Sequence, residues 1–201
     1  MPPEPKTSKG RASRERIVES AAELVATRGV HATSLDDVRA ATGASKSQLY
    51  HYFADRDELV ESAVGLRCEQ VVADISALLG QVTTFAQLQS ALGQMVTSYE
   101  GRPAGCPIGT LAAEVVDENE PARLHTVAAF AAWEGLIANA LTQMRDRGEL
   151  RSDAKPDVLA TGMLASLEGG LLLSQVRRDA TSLRIAFESA LGYVATYKTL
   201  D

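Results

Sequence analysis

The stretch Thr33–Phe53, "TSLDDVRAATGASKSQLYHYF", decides the fold of this 201-residue chain. Ser34 stands before a helical run with Asp37 three residues on, the spacing of a capping box. Leu35, Val38 and Ala41 then recur on one helical face. Gly43 marks a turn, and Ser45 starts a second short helix, "SKSQLYHYF". That helix holds three aromatics, a lysine, a histidine and one aliphatic residue, Leu49. A helix made only for a core carries more aliphatics and fewer hydroxyls. Two short helices joined by a glycine turn have the dimensions of a helix-turn-helix.

On the N-terminal side, residues 1–10 are rich in Pro, Lys, Ser and Gly and read as a mobile arm. A helix is expected from near Ser13, with Ile17, Ala21, Leu24 and Val25 inside and Gly29 at its end. On the C-terminal side, Asp55 caps a long helix with Glu58 as its box partner. An apolar stripe from Leu59 carries that helix to Gly80. Further helices are expected near 84–100, 107–119, 121–148, 156–178 and 182–198, with separators such as "EGRPAGCP" and "DRGELRSDAKP". Strict β alternation is absent, so the chain reads as all-α.

The net charge of −6 argues against a polyanionic partner until its distribution is read. Residues 1–54 hold eight Lys/Arg against six Asp/Glu, and the remainder holds twelve against twenty. One end can approach a polyanion while the bulk repels it. No apolar run approaches the roughly 18 residues of a membrane span. The start, "MPPEPKTSKGRASRER", lacks the apolar region of a signal peptide. A cytoplasmic protein with free thiols at Cys68 and Cys106 is expected. The scattered His31, His51 and His125 make no metal cluster.

Over Thr33–Leu59 the chain resembles the TetR/AcrR-type bacterial transcription regulators. Their pattern runs T-x-x-D-I-A-x-x-A-G-V-S-K-x-x-L-Y-x-x-F-x-x-K-x-x-L. Asp37, Gly43, Ser45, Lys46, Leu49, Tyr50, Phe53 and Leu59 match it at fixed spacing, and Thr33 and Ala41 each lie one residue before its threonine and alanine. Val38 replaces isoleucine and Arg56 replaces lysine, while Arg39 and Ala44 depart from alanine and valine. A later segment, "GCPIGTLAAE", looks like a branch associated with drug-efflux control. The resemblance implies an all-α fold with two parts. Residues 1–56 would form a three-helix, helix-turn-helix DNA-binding domain, and residues 57–201 a larger helical domain for ligand binding and dimerisation. It implies a repressor whose homodimer leaves double-stranded operator DNA when a small, largely apolar effector binds.

A helix that enters the major groove needs hydrogen-bonding tips and a cation. The DNA-facing set expected here is Thr33, Ser34, Ser45, Lys46, Gln48, Tyr50, His51, Tyr52 and Arg56. Glutamine pairs with adenine edges, lysine with guanine, and tyrosines with phosphates or thymine methyls. Tyr52 packing against the first helix is an equal reading. Arg56, in the first turn of its helix, is expected at a phosphate. The effector-lining set expected is Tyr99, Cys106, Leu111, Phe130, Trp133, Met163 and Leu167, with plain core as the competing reading. Glu168 reads as a ligand counter-charge or as an acid paired between helices. Cys106 before Pro107 is either a simple helix start or an activated thiol that senses oxidants or electrophiles. The helix near 156–178 is apolar nearly all round, so the dimer is expected through Gly162, Ser166, Gly169 and Leu173 with Phe187, Ala190 and Val194. No cofactor, metal or catalytic set is expected. A thiol enzyme using Cys106 and His125 lacks an orienting third residue. Control by a protein partner without a small ligand is the remaining alternative.

Overall fold

The computed structural model describes residues 5–100 and 105–199. Among these there are nine α-helices and one isolated antiparallel bridge, Leu150 to Lys198. They are α1 (Ser8–Arg28), α2 (Leu35–Thr42), α3 (Lys46–Tyr52), α4 (Arg56–Leu79), α5 (Phe85–Ser98), α6 (Pro107–Val115), α7 (Glu120–Asp146), α8 (Pro156–Arg177) and α9 (Thr181–Ala195). The all-α expectation and the order of helices hold. The chain divides into two compact units, one of Met1–Val71 with Pro107–Ala129, the other of Val72–Cys106 with Phe130–Asp201. The first takes in α6 and the start of α7 besides the N-terminal helices.

In the first unit α1 begins at Ser8, earlier than Ser13, because the Thr7 hydroxyl accepts the Gly10 N–H at 3.1 Å and caps the added turn. So residues 8–10 of the expected arm are helical. Residues 1–4 of that arm, and residues 101–104 of the "EGRPAGCP" separator, lie outside the described residues. Ile17, Val18, Ala21, Ala22 and Val25 form the buried face of α1. Gly43 ends α2 at φ 68°, a left-handed conformation that glycine adopts at least cost, and so turns the chain into α3. Asp55 accepts the Glu58 N–H at 2.9 Å, as the cap requires. Glu58 reaches back to the Ala54 N–H at 2.7 Å, one residue earlier than a standard box.

In the second unit α8 and α9 form a packed pair. Gly170 makes the close crossing: a Cβ there would lie 2.8 Å from Ala186 Cβ and 3.0 Å from Leu183 Cα. Ser174, fully buried, accepts the Leu183 N–H at 2.9 Å where α9 begins. The inner face of α9 is Leu183, Phe187, Ala190, Leu191 and Val194. That corrects the expectation that Phe187, Ala190 and Val194 are interface residues. They are buried within the chain, because α9 turns this stripe to its own core. Gly162 and Gly169 have nothing within 4 Å of an added Cβ, so their side of α8 is open. By length and composition α8 would cross a membrane, yet its other side carries Leu159, Met163, Leu167 and Leu171 into the core.

Two glycine substitutions test this packing. Gly170→Ala is expected to cost about 1–3 kcal/mol by overpacking the α8–α9 crossing. Gly135→Ala, on an exposed position of α7 with open space around it, is expected to gain up to about 1 kcal/mol from helix propensity. Urea denaturation of the two variants checks the difference in sign.

Candidate nucleic-acid interface

The α3 helix has seven residues and divides cleanly. Leu49 is buried and so is Phe53, which follows the helix and donates its N–H to Leu49 O at 2.9 Å. Ala44, in the turn before it, is buried as well. Ser45, Lys46, Ser47, Gln48, Tyr50 and His51 are exposed on the other side. The Arg14 guanidinium lies 5.2 Å from the Phe53 ring centre and donates to Ser62 Oγ at 3.2 Å, which covers the ring from the α1 side. The result is a short rod held by two hydrophobic side chains that presents hydroxyls, an amide, an imidazole and an ammonium outward. Lys46 Nζ lies 5.9 Å from the Tyr50 ring centre.

Both helix starts are built as expected. Ser34 accepts the Asp37 N–H at 3.2 Å, and Asp37 Oδ2 accepts the Ser34 N–H at 2.9 Å and its hydroxyl at a very short distance. These bonds, with Arg28 at 3.3 Å, hold the Asp37 carboxyl below the usual carboxylate range. At α3 the Gln48 N–H is accepted by Ser45 Oγ at 3.2 Å, and Gln48 Oε1 accepts the Ser45 N–H at 3.0 Å. Gln48 therefore has a structural task as well as an exposed NH2. In this arrangement its side chain offers a donor outward, suited to a base or phosphate acceptor, while a bidentate pair with adenine needs the cap bond to open.

The structure moves three expected contacts inward. Arg56 is not a free phosphate ligand: its Nε donates to Thr33 O at 3.1 Å and its Nη2 to Val30 O at 2.5 Å. Those carbonyls sit in the connector between α1 and α2, and they draw the guanidinium in. Thr33 is buried and donates its hydroxyl to Gly29 O at 2.8 Å. Tyr52 is half-buried, its hydroxyl close to Gly10 of α1 and its ring 5.0 Å from that of His51. Ser47, outside the expected set, is exposed on the outer side of α3 as well. Its spacing of three and four residues from Tyr50 and His51 was the available signal. Arg11 turns onto the arm, donating to Pro5 O and Lys6 O at 3.4 Å each, while Lys6 and Lys9 are exposed.

Of the effector-lining set, Leu111 is buried in the first unit, and the other six residues belong to the second. Trp133, Met163 and Leu167 are buried there, and Phe130 and Tyr99 half-buried. The Tyr99 hydroxyl donates to Gly105 O at 3.2 Å. Cys106 is buried, and a hydrogen bond joins it to Glu168, whose carboxyl burial holds above its ordinary value. Among the described residues, Trp133 Nε1 and Glu168 Oε1 are buried with no hydrogen-bond partner. His125 faces Glu61 at 3.9 Å. Cys68 is buried, and desolvation pushes its thiol pKa up to about 11.

Two family models match the chain. "Bacterial regulatory proteins, tetR family" matches residues 17–63, and "Tetracyclin repressor-like, C-terminal domain" matches residues 84–190. An HTH-type transcriptional regulator of Mycobacterium tuberculosis is 37% identical over 171 residues, 85% of this chain and 88% of its own. The HTH-type transcriptional repressor DhaR of a Mycobacterium species is 23% identical, covering 89% of this chain and 92% of its own. In fold, the chain matches the crystal structure of a TetR-family regulator from Cytophaga hutchinsonii with a TM-score of 0.83 at 22% identity. That match covers 98% of this chain and all of the other.

The two tasks of Gln48 and the inward turn of Arg56 give separable outcomes. Gln48→Ala is expected to weaken binding to a selected DNA site by roughly 1–3 kcal/mol and to relax preference at one position. Arg56→Ala is expected to lower the melting temperature by loosening two backbone carbonyls, while the salt slope of DNA binding stays as in the parent chain. Fluorescence anisotropy at several salt concentrations, with thermal unfolding beside it, checks both.

Proposed function

Because this chain belongs to the tetR family of bacterial regulatory proteins and is a DNA-binding transcriptional regulator rather than an enzyme, we propose that it is a ligand-responsive repressor acting as a homodimer in the cytoplasm. The observation that carries the reading is α3, whose polar side chains are exposed while Leu49 and Phe53 anchor it. On this reading residues 1–56 hold the DNA-reading head, with the exposed Ser34, Ser45, Lys46, Ser47, Gln48, Tyr50 and His51 nearest the groove. Residues 57–201 carry dimerisation and effector binding. Two heads must meet half-sites about 34–36 Å apart or a multiple of that, so a small change in their separation costs contacts in both.

The dimer reading rests on the open side of α8. Val158, Gly162, Ala165, Gly169, Leu172 and Val176 follow one another at spacings of four and three residues, and all are exposed. Val176 is 75% exposed and Leu172 61%. On α9, Ile185 and Tyr193 are exposed to a similar degree, with Gly192 beside them. An apolar stripe of this length, broken by small residues, suits close packing of two helices from each of two copies. It occupies the place that Phe187, Ala190 and Val194 were expected to fill.

The effector reading rests on Trp133 and Glu168. A buried indole N–H and a buried carboxylate oxygen without partners each cost free energy that a ligand could recover. We infer a small, largely apolar molecule with a hydrogen-bond acceptor for the indole N–H, or with a donor or cation for the carboxylate.

Two experiments test these readings. Gly169→Arg is expected to give monomers in sedimentation velocity, and a persisting dimer points to another interface. Apolar compounds with and without a basic nitrogen are expected to shift Trp133 fluorescence and release DNA equally from the parent chain and from Cys106→Ser. Release by mild oxidant that vanishes in Cys106→Ser supports thiol sensing instead. No response to either class favours control by a protein partner.

A further inference from the structure

Gly29 ends α1 at φ 88°, and the chain then crosses four residues to the α2 cap at Ser34. Two N–H groups of this connector are taken by one side chain from far along the sequence. Glu114, half-buried on α6, accepts the Val30 N–H at 2.7 Å and the His31 N–H at 3.2 Å through the same oxygen. The carboxylate is so close that a Cβ on Gly29 would lie 2.9 Å from it. The backbone angle favours glycine at this position, and a side chain there would also push the Glu114 carboxylate aside.

The connector is also held by its carbonyls. Arg56, at the start of α4, takes Val30 O and Thr33 O, as described above. An anion from α6 thus holds the donors of Val30 and His31, and a cation from α4 holds the acceptors of Val30 and Thr33. Two further ties join the segment after α6 to the same unit: His31 Nδ1 lies 3.6 Å from Glu118, and Asn119 Nδ2 donates to Asp57 O at 3.1 Å. Bonds from a carboxylate to backbone N–H groups are among the stronger ones and are directional. The connector they fix leads without slack into α2, and the glycine turn after α2 leads into α3.

We infer that Glu114 is a positioning residue for DNA reading: it sets the α1–α2 connector and through it the placement of α3. This rests on the reading of α3 as the DNA-facing helix. Glu114 touches no base or phosphate in this role. His31 is exposed, so water can replace its lost bond, while Val30 is buried and its N–H is the one that most needs the acceptor. What is lost is the fixed placement that sequence-specific contacts require, whereas non-specific attraction to phosphates needs none.

The test uses the full chain, Glu114→Ala and Glu114→Gln, with a duplex enriched from a random pool and a random duplex of equal length as probes. Glu114→Ala is expected to speed amide exchange at Val30 and to weaken binding to the enriched duplex by about ten-fold, with binding to the random duplex unchanged. Glu114→Gln keeps an acceptor and is expected to recover most of the loss. Unchanged exchange at Val30, an equal loss on both duplexes, or no loss on the enriched one overturns the inference. A parent chain that enriches no DNA overturns the DNA-reading role together with the reading beneath it, and the exchange measurement then shows separately whether Glu114 holds the connector.

Discussion

A seven-residue helix is too short to be stable alone, because nucleation takes several fixed residues before any hydrogen bond is gained. Everything that α3 presents outward depends on how its neighbours hold it. Leu49 and Phe53 fix its inner face, the Ser45–Gln48 box fixes its start, and Arg14 lies over the Phe53 ring. The same need explains why so many charged side chains in the first unit point to backbone groups. Arg56 and Glu114 hold a connector with no regular structure of its own, and Glu58 holds the turn before α4.

The division of labour between neighbouring glycines on α8 follows from the geometry of helix packing. Gly170 lets α9 approach within the chain, and Gly169, about 100° round the helix, lies on the open side. One side of α8 lies in the core and the open side carries Val158, Leu172 and Val176, so the helix has little polar surface left. Glu168 is the exception. Its burial without a full set of partners raises its proton affinity, and the bond to Cys106 offsets part of that.

The acidic balance of the chain and its DNA-binding role are compatible because electrostatics acts over about a Debye length of 8–10 Å. Exposed Lys6, Lys9 and Lys46 lie in the part of the sequence that carries the cationic excess, and the acidic surplus lies after residue 54. A field so arranged orients the approach without raising attraction over the whole surface.

The helix-turn-helix was legible because its signals are local. Caps at Ser34 and Ser45, the turn at Gly43 and the pair Leu49/Phe53 act within four residues of one another, so spacing alone specifies them. Helix boundaries farther on were legible to within a few residues for the same reason, and the start of α1 was missed because Thr7 is a cap without an acidic box partner. Which way a helical face turns was not legible. Periodicity shows that Phe187, Ala190 and Val194 share a side, but core and interface ask for the same apolar stripe, and only the packed position of α9 against α8 decides between them. Nor could the tasks of Arg56 and Glu114 be read. Their partners are backbone atoms 23 to 84 residues away, which carry no side-chain signature, so only the folded chain brings charge and connector together.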